Sequence, residues 1–327
     1  MKEQRISTRI ERKMDDWLST LPTDIAREVK DNIVVTGGSI ASMLLNERVN
    51  DYDVYLNNIR SVMILARYYC EEFVKVSDVV PYIRITFKDY ALIPSAIKND
   101  KDIHLDRNNR AILTYDGKAF DSLIHYDTSV ARIEIFIRSN GFAESNVTDQ
   151  DYTSDNQAEI SDENADQLDG KYIPKYISSN AITLSDSLQI VIRFFGDANK
   201  IHESFDFVHA TNYWTFRQGL VTNKEAILSI LSRELHYTGS LYPLASIFRQ
   251  RKFLKRGWSI HVGNYIKMGM QLSELDLNNV DVLEEQLTGV DALYMRSLID
   301  SIHLSGKERV ESGYVCTLVD RMMGYKE

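Results

Sequence analysis

The stretch whose residue types and spacing could do chemistry is residues 33–56, IVVTGGSIASMLLNERVNDYDVYL. It contains two aspartates, Asp51 and Asp53, that are separated by a single residue in a segment whose composition predicts a strand. Alternate residues of a strand share a face, so both carboxylates are expected to point the same way. Carboxylate oxygens are ligands of Mg²⁺, and the pair therefore predicts a metal site.

A glycine turn precedes the two aspartates. Residues 33–36 predict a short buried strand, and Gly37 and Gly38 end it. Ser39 is expected to be the N-cap of a helix whose apolar residues recur at helical spacing from Ile40 to Leu44. A glycine turn followed by the first N–H groups of a helix can bind a phosphate.

The combined spacing resembles the head of polymerase-β-type nucleotidyltransferases, and most closely the tRNA CCA-adding enzymes. In that family two glycines precede a short helix, and an Asp-x-Asp pair begins fourteen residues after the first glycine, which is the interval from Gly37 to Asp51. The family carries an Arg-Asp pair on this helix, where the present chain has Ala41 and Ser42. In the family, that arginine helps to hold the triphosphate.

The resemblance implies a set of roles for the residues of this segment. The phosphates of an NTP substrate would be held by Gly37, Gly38 and Ser39. Two Mg²⁺ ions (or Mn²⁺) would be held by Asp51 and Asp53, activating an acceptor hydroxyl and stabilising the leaving pyrophosphate. The alternative for the segment is an ordinary β-α-β unit in which the Asp-x-Asp pair has no chemical role.

A third carboxylate, Asp206, lies between two phenylalanines in an apolar segment, 205–209, that predicts a strand. Residues 179–209 are similar to the later strands of viral nucleotidyltransferase-like proteins, which implies that Asp206 is the third metal ligand and that the source is a phage or virus. The alternative is a salt bridge between Asp206 and Arg193, because a buried carboxylate requires a cation. Alternation places His209 on the opposite face, where a structural role is expected.

Basic side chains recur with aromatic ones in residues 241–260. Helical spacing places Arg249, Lys252 and Arg256 on one face. The segment resembles the neck helix of CCA-adding enzymes, which implies that this face binds the triphosphate or a nucleic-acid backbone. A solvated or acid-paired face is the alternative.

Acidic residues are concentrated in an insertion, 141–171, that is expected to be flexible because it is polar and contains few residues that could form a core. The chain has 47 acidic and 38 basic residues, and nine of the acidic ones lie in this insertion, so the remainder of the chain is neutral.

The two cysteines of the chain lie far apart without a Cys/His cluster, which argues against a zinc site and predicts reduced, buried thiols. The N-terminus has no apolar signal core, and no apolar run approaches a membrane span, so a cytoplasmic protein without a membrane partner is expected.

The elements that would position these residues define an α+β fold. A nucleotidyltransferase-fold head with a mixed sheet is predicted over 1–215, and a helical domain over 216–327. Within the head, Asn57 or Asn58 is expected to cap a helix running to Phe73, and strands are predicted over 79–88, 111–115, 130–138, 181–184 and 188–194. In the second domain, Thr222 is the expected cap of the first helix.

The function that follows is transfer of an NMP group from an NTP to an acceptor hydroxyl. An RNA 3′ end, tRNA-like, is the expected acceptor. The alternatives are a protein or small-molecule acceptor, or a degenerate member that only binds a nucleotide or a partner protein.

Overall fold

The computed structural model describes residues 3–75, 81–87, 103–105, 111–114, 131–137, 157–159, 170–178, 180–287, 309–311, 313–314 and 316–317. Its chain divides into two compact units. The first comprises residues 1–202 and 212–222, and the second comprises residues 203–211 and 223–327.

The first unit begins with two helices, α1 (Glu3–Leu18) and α2 (Thr23–Lys30). Then follow β1 (Ile33–Thr36), α3 (Gly38–Leu44), β2 (Tyr52–Leu56) and α4 (Ile59–Val74). The later strands are β3 (Pro81–Phe87), β4 (Ile103–Leu105), β5 (Ala111–Thr114), β6 (Ala131–Ile137), β7 (Gln157–Glu159), β8 (Pro174–Ser178), β9 (Ala181–Leu184), β10 (Leu188–Phe195), β11 (Tyr213–Thr215) and β12 (Gly219–Val221), with α5 (Ala198–His202) after β10.

A mixed sheet organises this unit. Seven strands run in the order β12-β11-β1-β2-β10-β9-β8, and the short β7 extends the edge beyond β8. The β2–β10 pair is parallel and the other pairs are antiparallel. A second sheet has the order β4-β5-β3-β6. The predicted α+β class with a mixed sheet is confirmed.

The core of the first unit lies where α1 and α4 cover this sheet. On α1 the buried residues Ile6, Ile10, Met14 and Trp17 recur every three or four positions, as expected for one helix face. The Trp17 indole Nε1 donates to the Tyr69 hydroxyl at 2.8 Å, which links α1 to α4 inside the core. Asn58 caps α4 by accepting a hydrogen bond from the Ser61 N–H at 2.9 Å. Of the two predicted caps, Asn57 and Asn58, the second is confirmed.

The described residues of the second unit include four α-helices. They are α6 (Lys224–Ser232), α7 (Pro243–Lys255), α8 (Val262–Ser273) and α9 (Val280–Leu287). A 3₁₀ turn, Val208–Ala210, precedes them, and the two-residue strands β13 (Glu234–Leu235) and β14 (Ser259–Ile260) pair in parallel. The predicted domain division near residue 215 stays a prediction.

Several local predictions are wrong. Residues 205–209 are a bend, an isolated bridge and a 3₁₀ turn instead of a strand. The chain does not turn helical at 216, because β12 precedes α6, and the cap of α6 is Asn223, which accepts from the Glu225 N–H at 2.9 Å. Cys70 is buried as expected, whereas Cys316 is exposed. The acidic insertion lies outside the described residues except for 157–159 and 170–171.

Candidate functional site

A sharp turn joins β1 to α3. Gly37 is the N-cap of this helix and has a φ of 95°, a left-handed value that glycine adopts without steric cost. The predicted cap, Ser39, lies inside α3 instead; its side chain is buried, and its Oγ has no hydrogen-bond partner among the residues that the structure describes. The turn therefore forms through glycine rather than through a serine cap.

One of the two predicted carboxylates lies against this turn. Asp53 is on β2, opposite Thr36 on β1 and Gln189 on β10. A Cβ atom on Gly37 would lie 2.9 Å from Asp53 Oδ2, a distance at which the Asp53 side chain would have to shift. The backbone angle therefore favours glycine at this position, and a larger residue would also displace the carboxylate.

The other carboxylate, Asp51, lies outside the strand. It is exposed and immediately precedes β2, which begins at Tyr52. The Tyr52 N–H donates to the Ser187 carbonyl at 2.9 Å and fixes the start of the strand. The structure thus holds Asp53 at the turn and leaves Asp51 at the surface.

A polar pair, the buried Thr36 and the partly buried His202, lies beside the turn, and the sequence analysis missed it. The Thr36 hydroxyl is fully buried, donates to the Asn212 carbonyl at 2.9 Å, and lies 2.9 Å from His202 Nε2. Because its proton goes to Asn212, the hydroxyl accepts from Nε2–H of the neutral imidazole. Burial lowers the pKa of His202 to about 4. No local pattern links a threonine on β1 to a histidine more than 160 positions later.

Asp206 belongs to the second unit and is buried at 4% exposure. It forms an ion pair with Arg249 on α7, accepts a hydrogen bond from the Ser240 hydroxyl at 2.7 Å, and its carbonyl accepts from the Thr238 N–H at 2.9 Å. The expected cation is therefore present, but it is Arg249 rather than Arg193. The Arg193 guanidinium donates instead to Asn180 Oδ1 at 3.1 Å.

The basic face predicted on α7 divides into two environments. Arg249 turns inward to Asp206, so for this residue the acid-paired alternative holds. Lys252 Nζ and the Arg256 guanidinium carbon lie 5.4 Å and 5.8 Å from the ring centroid of Phe253. The side chains of both Lys252 and Arg256 are exposed to solvent.

His209 lies in an aromatic cluster of the second unit, as its predicted structural role requires. Its ring centroid is 4.5 Å from that of Phe253 and 5.0 Å from that of Trp258. Burial, reinforced by the nearby charges of Lys252 and Arg256, lowers the pKa of His209 to about 3. The imidazole is therefore neutral and packs as an aromatic ring.

A metal site formed by three carboxylates is not seen in the part of the chain that the structure describes. No group of three or more His, Cys, Asp or Glu side chains there is arranged to hold a metal ion. Asp51 and Asp53 belong to the first unit and Asp206 to the second. The bound Mg²⁺ and the NTP of the sequence analysis stay predictions, as do the roles of Asp51, Asp53, Asp206, Gly37, Gly38, Ser39, Arg249, Lys252 and Arg256.

No helix in the described ranges combines the length and the apolar character that crossing a bilayer requires.

Comparison with known proteins gives a different family from the expected one. A family model described as "Gad2: Gabija anti-defense 2 family protein" matches residues 8–233. The chain is 26% identical over 106 residues to a protein named Gabija anti-defense 2 from Bacillus phage SPbetaL7. This alignment covers 32% of the present chain and 26% of the relative, so the chain aligns with about a quarter of that protein's length. No solved structure matches.

The nucleotidyltransferase assignment is therefore wrong, and with it the expected NMP transfer to an RNA 3′ end. That assignment depended on the spacing between the Gly-Gly and Asp-x-Asp motifs and on Asp206. The structure pairs Asp206 with Arg249 in the second unit, whereas both motifs lie in the first. The phage source expected from residues 179–209 agrees with the source of the relative. Because the family model spans more than half of its length, the chain belongs to the Gabija anti-defense 2 family.

Proposed function

We propose that this chain is a phage protein that counters the Gabija defence system of the host bacterium. The observation that carries the proposal is the family match over residues 8–233, which is more than two thirds of the 327 residues. The match includes most of α1 and all of the mixed sheet, so it covers the folded core of the first unit and not an isolated motif. The protein acts inside the infected cell, since that is where a phage protein is made.

The glycine turn at Asp53 is the arrangement in the first unit that we propose to serve this function. Its position inside the family match supports the proposal, as do the positive φ of Gly37 and the Asp53 carboxylate beside it, 2.9 Å from where a Cβ of residue 37 would lie. A half-buried carboxylate at a sharp turn can accept hydrogen bonds from a binding partner. The role proposed here is recognition, through the charge and geometry of Asp53.

Plating efficiency tests both parts of the proposal. A Gabija-sensitive phage is plated on cells that carry the Gabija system and express either this chain or an empty plasmid. The chain is expected to raise plating at least tenfold, and equal plating would refute the function. Asp53→Asn is expected to lower this rescue, whereas the exposed Asp24 of α2, changed to Asn, serves as the matched control. Equal rescue by both variants would remove Asp53 from the account and leave the family function standing.

A further inference from the structure

The Thr36 side chain, at the end of β1, is held by residues from two distant places in the chain. Its hydroxyl donates to the Asn212 carbonyl at 2.9 Å and accepts from His202 Nε2 at 2.9 Å. His202 is the last residue of the first unit before the chain enters the second, and Asn212 is the first residue after the chain returns. One hydroxyl therefore joins both ends of the excursion 203–211 to β1.

This hydroxyl is fixed in its orientation. Thr36 is fully buried, and its branched side chain has few rotamers, so the two hydrogen bonds select one of them. The His202 ring lies against Tyr213, with 5.9 Å between the ring centroids, and Tyr213 pairs with Thr36 in the β1–β11 register. The imidazole is thus placed beside two adjacent strands at the end of β1.

Thr36 is also placed to set the geometry of the Gly37 turn. It immediately precedes Gly37 and lies directly opposite Asp53 in the β1–β2 register. Directly opposite residues of an antiparallel pair have Cβ atoms about 5 Å apart and share one face of the sheet. A shift of Thr36 would therefore move the turn and the neighbour of the carboxylate together.

We propose that Thr36 and His202 are positioning residues for Asp53. The hydrogen bond between them holds the end of β1, and with it the Gly37 turn, in the geometry in which the Asp53 carboxylate meets its binding partner. Groups of a binding site must be held to within about 0.5 Å of their productive geometry, and hydrogen bonds from neighbouring residues hold them there. This inference rests on the proposed function and adds the residues that set the geometry of its site.

Substitutions in the full chain isolate the hydroxyl. Thr36→Val keeps the shape of the side chain and removes the hydroxyl, whereas Thr36→Ser keeps the hydroxyl and loses the methyl group. His202→Phe keeps a ring beside Tyr213 and removes the hydrogen-bond donor. Ile10→Val is the control for stability, because it shortens a fully buried core side chain of α1 and removes no hydrogen bond.

Plating rescue in Gabija-carrying cells and the thermal unfolding midpoint are measured for each variant. Thr36→Val and His202→Phe are expected to lower rescue about tenfold, the scale of one hydrogen bond lost from a binding site. Thr36→Ser is expected to keep the rescue of the wild type, and so is Ile10→Val despite a lowered midpoint. Because Thr36 acts through Asp53, adding Thr36→Val to Asp53→Asn is expected to cause no further loss.

Wild-type rescue by Thr36→Val or by His202→Phe would overturn the inference, as would an equal loss in Thr36→Ser and Thr36→Val. A loss that Ile10→Val reproduces at the same midpoint would show a role in stability alone, and so would effects of Thr36→Val and Asp53→Asn that multiply. If the wild type gives no rescue, the proposed function itself fails. If Asp53→Asn alone keeps full rescue, the recognition role of Asp53 fails, and in both cases this inference falls with it.

Discussion

The buried ion pair between Asp206 and Arg249 gives the sharpest test of the second unit. Asp206 is 4% exposed, and besides Arg249 its carboxylate has the Ser240 hydroxyl as a described partner. Changing Arg249 to Met keeps the aliphatic stem but leaves a buried carboxylate without its cation, which costs about 3–5 kcal/mol. Since whole domains are stable by about 5–15 kcal/mol, this single change should remove a large part of the stability of the unit.

Urea unfolding, followed by tryptophan fluorescence, measures this loss; of the three tryptophans, Trp258 lies in the same unit. Lys255→Met, at an exposed position of the same helix, is the matched control and should change the stability by less than about 0.5 kcal/mol. The double variant Asp206→Asn/Arg249→Met should be more stable than Arg249→Met alone, because it removes the unpaired charge. An Arg249→Met variant within 1 kcal/mol of wild type, or strictly additive effects in the double variant, would refute the reasoning.

Three further predictions concern the turn and the buried histidine. Gly37→Ala should destabilise the first unit by about 1–2 kcal/mol or more, because Gly37 has a φ of 95° and the new Cβ would lie 2.9 Å from Asp53 Oδ2. Gly38→Ala should be neutral in the same urea titration, because its Cβ would meet no atom within 4 Å. Ser39→Ala should preserve or slightly raise the unfolding midpoint, since the Ser39 Oγ is buried without a hydrogen-bond partner in the described part of the chain, and a clear loss would show a contact outside it. Stability should fall as pH drops from about 6.5 toward 3, by up to about 1.4 kcal/mol per pH unit from His209, because the unfolded chain binds a proton there that the native state refuses. The lowered pKa of His202 acts in the same direction, so His209→Leu should reduce this slope between pH 7 and pH 5 without removing it.

Local periodicity predicted much of the first unit. The strand–glycine–helix–strand order of residues 33–56 is present, and α4 runs as expected from its Asn58 cap with Tyr69 and Phe73 buried. These elements follow from residue types within one or two turns of each other. Strands β9 and β10 were likewise marked by β-branched residues on either side of a turn at Asp186 and Ser187, both of which have positive φ.

The rest depended on contacts between distant residues. Phe205 and Phe207 around Asp206 are compatible with a strand by composition, but the long-range pairing with Arg249 and Ser240 fixes a bend there instead. The three-residue strands β11 and β12 are too short to show a period, and the sequence analysis missed them. The exposure of Val262, Ile266 and Met270 on α8 could not be predicted, because helical spacing identifies an apolar face without saying which way it points.

The resemblance to nucleotidyltransferases shows the limit of short motifs. Gly37 and Asp53 do come together in space, as that resemblance required. A glycine turn beside a carboxylate can occur in proteins of unrelated function. The motif therefore located a structured turn without identifying its chemistry. The family match over 8–233 carried the identification.

The measurement that tests the central claim most directly compares two defences in otherwise identical cells. One strain carries the Gabija system and the other an unrelated restriction system, and each expresses this chain or an empty plasmid while the same phage, sensitive to both, is plated. The account predicts that the chain raises plating at least tenfold in the Gabija strain and leaves it unchanged in the restriction strain. Unchanged plating in the Gabija strain, or an equal rise in both strains, would contradict the assignment to Gabija counter-defence.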